Sequence, residues 1–396
     1  MRNVVLSTHI NEVPGIASKW TDFLKGEADN FFFVQHPLHE WLINHPLHEV
    51  RGGVKLFVKG EQRFEKQFPR VRMPSAIPQM RDVALSTYYT AKMSRSLDLQ
   101  WDTFIGIDCL NALSGIFLRE LGIVKRIIFY PVDFATHRFD NAVKNLAYQQ
   151  LVQYVTRNSD LVWSVSNRIA KYIDKFSGPN TRIIVVPHGY NPPSEKPETD
   201  FSLDPKQKKL VYVGGLGPEA GLPLVIEALP RIVDKVPEAC FYVIGHGSKV
   251  DIETLTSLVR KYKVERNVQY VGVLPNKKVL DFLLQCDIGI APFSPAPSWT
   301  QFADMSMNVR EYLACGLPVI TTRFLGQGAI IEKKHAGISI NYDVDNMVKA
   351  AVSLLTEKEF YENCKANTKP IVAGYTWNNI MRDAWKKTCE YLGNKP

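Results

Sequence analysis

Two glycine turns and one carboxylate in apolar company carry most of the chemistry legible in this chain. The first turn lies in Leu210-Val211-Tyr212-Val213-Gly214-Gly215-Leu216-Gly217-Pro218-Glu219-Ala220-Gly221, ahead of an apolar helical stretch from Pro223 to Val233. Glycines between a strand and a helix let backbone N–H groups approach a phosphate, and the positive end of the helix favours its charge. The spacing is not that of a dinucleotide fingerprint. A second turn, Gly245-His246-Gly247-Ser248, closes the next apolar run, with His246 reading as a turn residue. In an open α/β sheet both turns would lie beyond the carboxyl ends of the strands, where ligands bind. The carboxylate is Glu311, within Asp304-Met305-Ser306-Met307-Asn308-Val309-Arg310-Glu311-Tyr312-Leu313-Ala314-Cys315-Gly316-Leu317-Pro318. A polar first turn enters a helix, Gly316 ends it, and the next strand begins at Pro318. An acid among apolar neighbours is costly without hydrogen-bond donors; ribose hydroxyls or a salt bridge would both serve. Asp343-Val344-Asp345 precedes the Met347–Leu355 helix and reads as capping, not as a metal motif.

Short apolar runs alternating with longer amphipathic ones position these groups. They predict parallel α/β construction. In the first half the strands are expected at Val4–Thr8, Phe31–Gln35, Phe104–Asp108, Arg126–Val132, Leu161–Ser166 and Ile183–His188. In the second they are expected at Leu210–Gly214, Phe241–Gly245, Val268–Val273, Ile288–Phe293, Pro318–Thr321 and Gly337–Ile340. The Pro-rich, charged stretch 191–208 reads as a linker between domains 1–190 and 209–374. In the last segment, 375–396, Trp377, Ile380, Met381, Ala384, Trp385 and Thr388 recur at helical spacing and predict a helix that returns to the first domain.

Composition bounds the function. A chain that is 45% hydrophobic and 22% charged folds as a globular protein. Cys109, Cys240, Cys286, Cys315, Cys364 and Cys389 show no zinc spacing and read as reduced core thiols of a cytoplasmic protein. No run is long enough to span a membrane. From Arg51 to Arg95, however, ten bases face three acids, a net +7, with Phe57, Phe64 and Phe68 interleaved. That mixture predicts either docking on an anionic surface, the inner face of the cell membrane, or a solvated face with core-facing aromatics.

Several ordered motifs together resemble the family-four retaining GT-B glycosyltransferases. Glu311-Tyr312-Leu313-Ala314-Cys315-Gly316-Leu317-Pro318-Val319-Ile320 is similar to the Glu-Tyr-Leu/Met-Ala-x-Gly-x-Pro-Val-Ile signature of that family. Val185-Val186-Pro187-His188-Gly189-Tyr190-Asn191 resembles its domain crossing, Ser159–Ser166 its Ala-Asp-x-Val-x-x-Val-Ser strand, and Asp287–Phe293 its Asp-Val-x-Leu-x-Pro segment. The resemblance runs from about Tyr130 to the C-terminus. It implies two Rossmann-like domains with a cleft between them, the first for an acceptor and the second for a nucleotide-sugar donor.

The resemblance also assigns roles. Glu311 would hold the donor ribose, the amides of Ser306, Met307 and Asn308 would face the diphosphate, and Gly214, Gly215, Gly245 and Gly247 would line the donor site. Asp304 and Asp133 would be acids near the transferred sugar. His9 and Gly15, in the loop after the first strand, with His137 and Arg138, would lie on the acceptor side. No cofactor and no obligatory metal is implied; the partners would be the donor, a glycan or lipid-linked acceptor and, on the docking reading of the basic segment, an anionic membrane surface, not nucleic acid. The pattern departs from the family at Ala303, Gly215, Ala220 and Asn308, where an acid and three cations are common. An inactive sugar-nucleotide-binding subunit and a GT-B nucleotide-sugar epimerase are therefore the alternatives to a transferase.

Overall fold

The computed structural model describes residues 1–9, 16–37, 52–68, 77–132, 134–139, 141–179, 181–199, 201–295, 302 and 304–393. The chain divides into two compact units, Met1–Pro187 with Asn378–Pro396, and His188–Trp377. Each is a sheet with helices on its faces.

The first unit runs β1 (Asn3–Thr8), α1 (Ile16–Glu27), β2 (Asn30–Gln35), β3 (Gly53–Val58), β4 (Glu61–Gln67), α2 (Ile77–Leu97), β5 (Trp101–Ile107), α3 (Cys109–Glu120), β6 (Val124–Tyr130), α4 (Ala142–Asn158), β7 (Leu161–Ser164), α5 (Asn167–Asp174) and β8 (Arg182–Val185). Its strand order is β4-β3-β2-β1-β5-β6-β7-β8. All neighbours are parallel except β2–β3 and β3–β4. The chain order reverses between β1 and β5, the place in such a sheet where ligands settle.

The second unit runs β9 (Lys208–Gly215), α6 (Leu222–Val233), β10 (Ala239–His246), α7 (Lys249–Lys261), β11 (Val268–Gly272), α8 (Asn276–Leu283), β12 (Ile288–Ala291), α9 (Met307–Ala314), β13 (Val319–Thr322), α10 (Gly326–Lys333), β14 (Gly337–Ile340), α11 (Val344–Thr356), α12 (Lys358–Ala366) and α13 (Thr368–Val372). Its order, β11-β10-β9-β12-β13-β14, is all parallel, with the reversal between β9 and β12. One apolar layer, with Leu210, Phe241 and Leu229, covers one face; another, with Val211, Tyr242 and Leu313, covers the other. Burial on both faces is why these strands read as continuous apolar runs.

All twelve expected strands are present, several with shifted ends. The β3–β4 hairpin was missed. Its turn, Lys59-Gly60, has positive φ at both residues (49° and 83°), the geometry of a tight two-residue hairpin, but lysine is an uncommon first residue there. The hairpin also bears on the basic segment, for which core-facing aromatics were one of the two readings. Phe57 and Phe68 are core residues, Phe57 stacked on Phe31 and Phe68 on His36, while Phe64 stays at the surface. Arg51, Arg70 and Arg72 lie outside the described residues.

The final helix, α14 (Trp377–Tyr391), packs into the first unit along most of its length. Trp163 stacks on Trp20 and donates its indole N–H to Thr388 Oγ1 at 3.0 Å, and Trp385 meets Phe23 edge-on. The Pro-rich stretch lies on the second unit, where Glu198 and Thr199 N–H groups donate to Asp281 of α8. The six cysteines are buried and unpaired. No helix among the described residues is long and apolar enough to cross a membrane.

Candidate active site

The carboxyl ends of β9 and β12 bring the glycine turn and helix α9 together. Gly214 and Gly245 are register partners at the ends of β9 and β10, with φ of 154° and 146°. A Cβ on Gly245 would stand 1.8 Å from the Gly214 carbonyl oxygen, so its glycine is required by backbone contact alone. Gly215 is different: a Cβ there would meet nothing. Gly247 packs against Leu216 and Asp251, and Ser248 with Asp251 forms a capping box that starts α7.

Helix α9 is tied to the end of β9 by two bonds. The Val213 N–H donates to Tyr312 Oη at 2.7 Å, and Asn308 Nδ2 donates to the Val213 carbonyl at 3.0 Å. Tyr312 also explains Gly289 of β12, where a Cβ would strike its ring at 2.5 Å. Asn308, at a position where the family often has lysine, thus fixes the turn. Its Oδ1 also accepts from the Ser306 hydroxyl and the Val309 N–H.

Of the three amides expected to face a diphosphate, that of Ser306 is engaged within the chain. The Ser306 N–H donates to Gln327 Oε1 at 2.9 Å, and Gln327 Nε2 donates in turn to Thr321 Oγ1. The N–H groups of Met307 and Asn308 begin the helix, where no intrahelical acceptor exists, and carry its positive end. Asp304 is half-exposed just before them.

Glu311 is buried one turn further on. Its partner is Asn276 of α8, whose Nδ2 donates to Oε1 at 2.9 Å, while Asn276 Oδ1 accepts from Asn191 at 2.6 Å. Burial pushes the Glu311 carboxyl up to about 7, against the pull of Asn276. Among the described residues Glu311 thus has one neutral hydrogen-bond donor and no cation paired with it, which disfavours the salt-bridge reading. Asn191, Asn276 and Gln327 carry no sequence signal, because each acts through a contact between distant segments.

Ala220 is fully buried in the core beside a left-handed Gly221, so a lysine side chain there would have to leave the apolar layer. Asp343 caps α11 by accepting from the Asn346 N–H, and Asp345 pairs with Arg231. Asp133, Gly15 and Ala303 lie outside the described residues.

In the first unit, His9 sits just past β1 in a buried network. Its Nε2 lies 3.2 Å from Asp82 Oδ2, and its Nδ1 faces Asn111 Nδ2 at 2.8 Å. His36, Ser86 and Ser7 complete the network. Burial opposes ionisation of Asp82, but hydrogen bonds from His36 and His9 hold its carboxyl well below the usual range; burial lowers His36 to about 4. His137 is exposed, and Arg138 reaches to Asp108 at 3.6 Å.

Residues 195–370 match the family model described as "Glycosyl transferases group 1". The match covers less than half of this chain. The putative colanic acid biosynthesis glycosyltransferase WcaL of Escherichia coli is 25% identical over 60% of this chain and 57% of its own. The phosphatidylinositol N-acetylglucosaminyltransferase GPI3 subunit of Saccharomyces cerevisiae is 24% identical over 66% and 56%. This chain thus spans less than three fifths of the length of the curated relatives it matches. Among solved structures, HepE of Anabaena in complex with UDP and glucose superposes with a TM-score of 0.72, at 14% identity, over 98% of this chain and 100% of its own. The chain has the GT-B fold, and Glu311 lies within the residues that match the family model.

Proposed function

We propose that this protein transfers a sugar from a nucleotide-diphosphate donor to a glycan or lipid-linked acceptor, with retention, in the synthesis of a surface polysaccharide or glycoconjugate. The observation that carries this reading is Glu311: a buried carboxylate with one neutral donor, on the helix at the strand-order reversal of a group 1 domain. The ribose hydroxyls would supply the donors it needs. The departing diphosphate would rest on the Met307 and Asn308 amides, preorganised at the positive end of α9. With Gly215 and Ala220 in place of cations, those dipoles and the glycine turns bear the charge, without an obligatory metal.

The membrane part of the proposal rests on α2 and β4. Met80 and Tyr88 are exposed on α2 with Lys92 and Arg95, and Lys66 and Phe68 of the neighbouring segment contact Tyr89. A cytoplasmic enzyme held on the inner leaflet would meet a lipid-borne acceptor there.

The test is turnover of UDP-glucose, UDP-N-acetylglucosamine and GDP-mannose, with and without chelator. Release of nucleotide diphosphate that survives chelator is expected. Binding without turnover would instead support an inactive sugar-nucleotide-binding subunit, the alternative suggested by Ala303, Gly215 and Ala220.

A further inference from the structure

The carboxyl edge of the first unit's sheet carries a second polar site, at the strand-order reversal between β1 and β5. Ser7 of β1 pairs in register with Gly106 of β5, so His9 and Asp108 follow at the ends of adjacent strands. Proton counting separates them. Asn111 Nδ2 donates to the Ile107 carbonyl at 2.6 Å, and its Oδ1 accepts from Ser7 Oγ, so the amide orientation is fixed. His9 Nδ1 must therefore accept from Asn111, and its Nε2–H is left to donate to Asp82. Both ring nitrogens are committed within the network, in the neutral tautomer.

Asp108 is arranged in the opposite sense. Its backbone has φ 73° and ψ 162°, a region that residues other than glycine rarely adopt. It occupies the N-cap position of α3, yet its side chain makes no capping bond. The tight turn is enforced by Gly106, where a Cβ would fall 2.3 Å from the Ala112 nitrogen. The carboxylate instead lies 3.6 Å from the Arg138 guanidinium and is part-exposed. An aspartate free to cap a helix but turned away from it, at the edge where such sheets bind ligands, is poised for a group that donates hydrogen bonds.

We propose that Asp108 receives a hydroxyl of the acceptor, with Arg138 holding its carboxylate and His9 acting only as a fixed neutral wall of the site. This rests on the transferase reading above, and it assigns the acceptor-side contact to a residue that the sequence motifs did not indicate.

Two variants test it, with n-octyl β-D-glucopyranoside and glycerol as acceptor probes. Asp108→Gly should melt several degrees higher than the unsubstituted chain, because glycine adopts this backbone freely, and should lose transfer. Asp108→Asn should raise the acceptor KM at least tenfold while leaving UDP affinity and acceptor-free donor hydrolysis within twofold. A lower Tm for Asp108→Gly overturns the strain argument. Transfer by both variants at the unsubstituted rate and KM overturns the acceptor role alone. An unsubstituted chain that neither hydrolyses nor transfers from any sugar nucleotide overturns the transferase reading and this inference with it.

Discussion

At the residue scale the ionisation of Glu311 links stability to pH. Its folded carboxyl titrates near 7, above the ordinary 4.5, so the folded chain holds a proton that the unfolded chain releases between those values. That stability is fully present below pH 4.5 and is lost as the pH rises through 7, by up to about 3 kcal/mol for a shift of this size. Glu311→Gln should remove the loss: its melting temperature should exceed that of the unsubstituted chain above pH 7 and converge with it at pH 4.5. Ribose hydroxyls donate best to the ionised form, so nucleotide affinity should rise through pH 7 in the unsubstituted chain. In Glu311→Gln it should be at least tenfold weaker and flat with pH. Calorimetric titration with UDP across pH 5.5–8.5 checks both; unchanged affinity removes Glu311 from the site.

Among the elements, the two glycine turns look alike in sequence and differ in physics. Gly245 is held by contact with the backbone of the neighbouring strand, and Gly215 faces open space. Gly245→Ala should therefore destabilise the second unit by about 3 kcal/mol or more, since a positive φ and a backbone clash coincide. Gly215→Arg should stay within about 0.5 kcal/mol of the original stability. It should also tighten UDP binding several-fold, by adding a charge-assisted contact to the diphosphate. Denaturant melts with UDP titrations distinguish the two; equal destabilisation would show that the open space at Gly215 is not real in solution. The Ser306 amide is a further lesson at this scale. Its position at a helix start suggested a phosphate contact, but Gln327, from the helix after β13, already occupies it.

For the whole molecule, the outstanding question is the surface on which it works. The basic segment allowed either docking of its phenylalanines on an anionic surface or core-facing aromatics, and Phe57 and Phe68 are core. Among the described residues Lys59, Arg63, Lys66, Lys92 and Arg95 are exposed, together with Phe64, Met80 and Tyr88. Binding to vesicles should accordingly be mainly electrostatic, each engaged base contributing about 1 kcal/mol at most. Co-sedimentation with phosphatidylglycerol-containing liposomes should exceed that with neutral ones by at least tenfold, and 1 M salt should abolish it as the Debye length falls to about 3 Å. Equal sedimentation with both vesicle types, or none, removes the membrane from the proposal.

The sequence by itself determined the strand-and-helix alternation, the twelve parallel strands, the terminal helix and the Glu311 helix. Each of these is written in a local pattern: apolar runs buried on both faces, caps, and glycine at a helix end. Only the tertiary structure decided which polar groups those elements share. Asn276 reaches Glu311 from α8, Gln327 takes the Ser306 amide, and Asp82 and Asn111 fix the proton on His9. The Lys59-Gly60 hairpin and the glycine-like backbone of Asp108 belong with them. Hydrogen-bond partners are chosen by proximity across the fold, and a positive φ is imposed on a residue by the packing around it. Neither quantity has a period or a composition that a linear sequence can display.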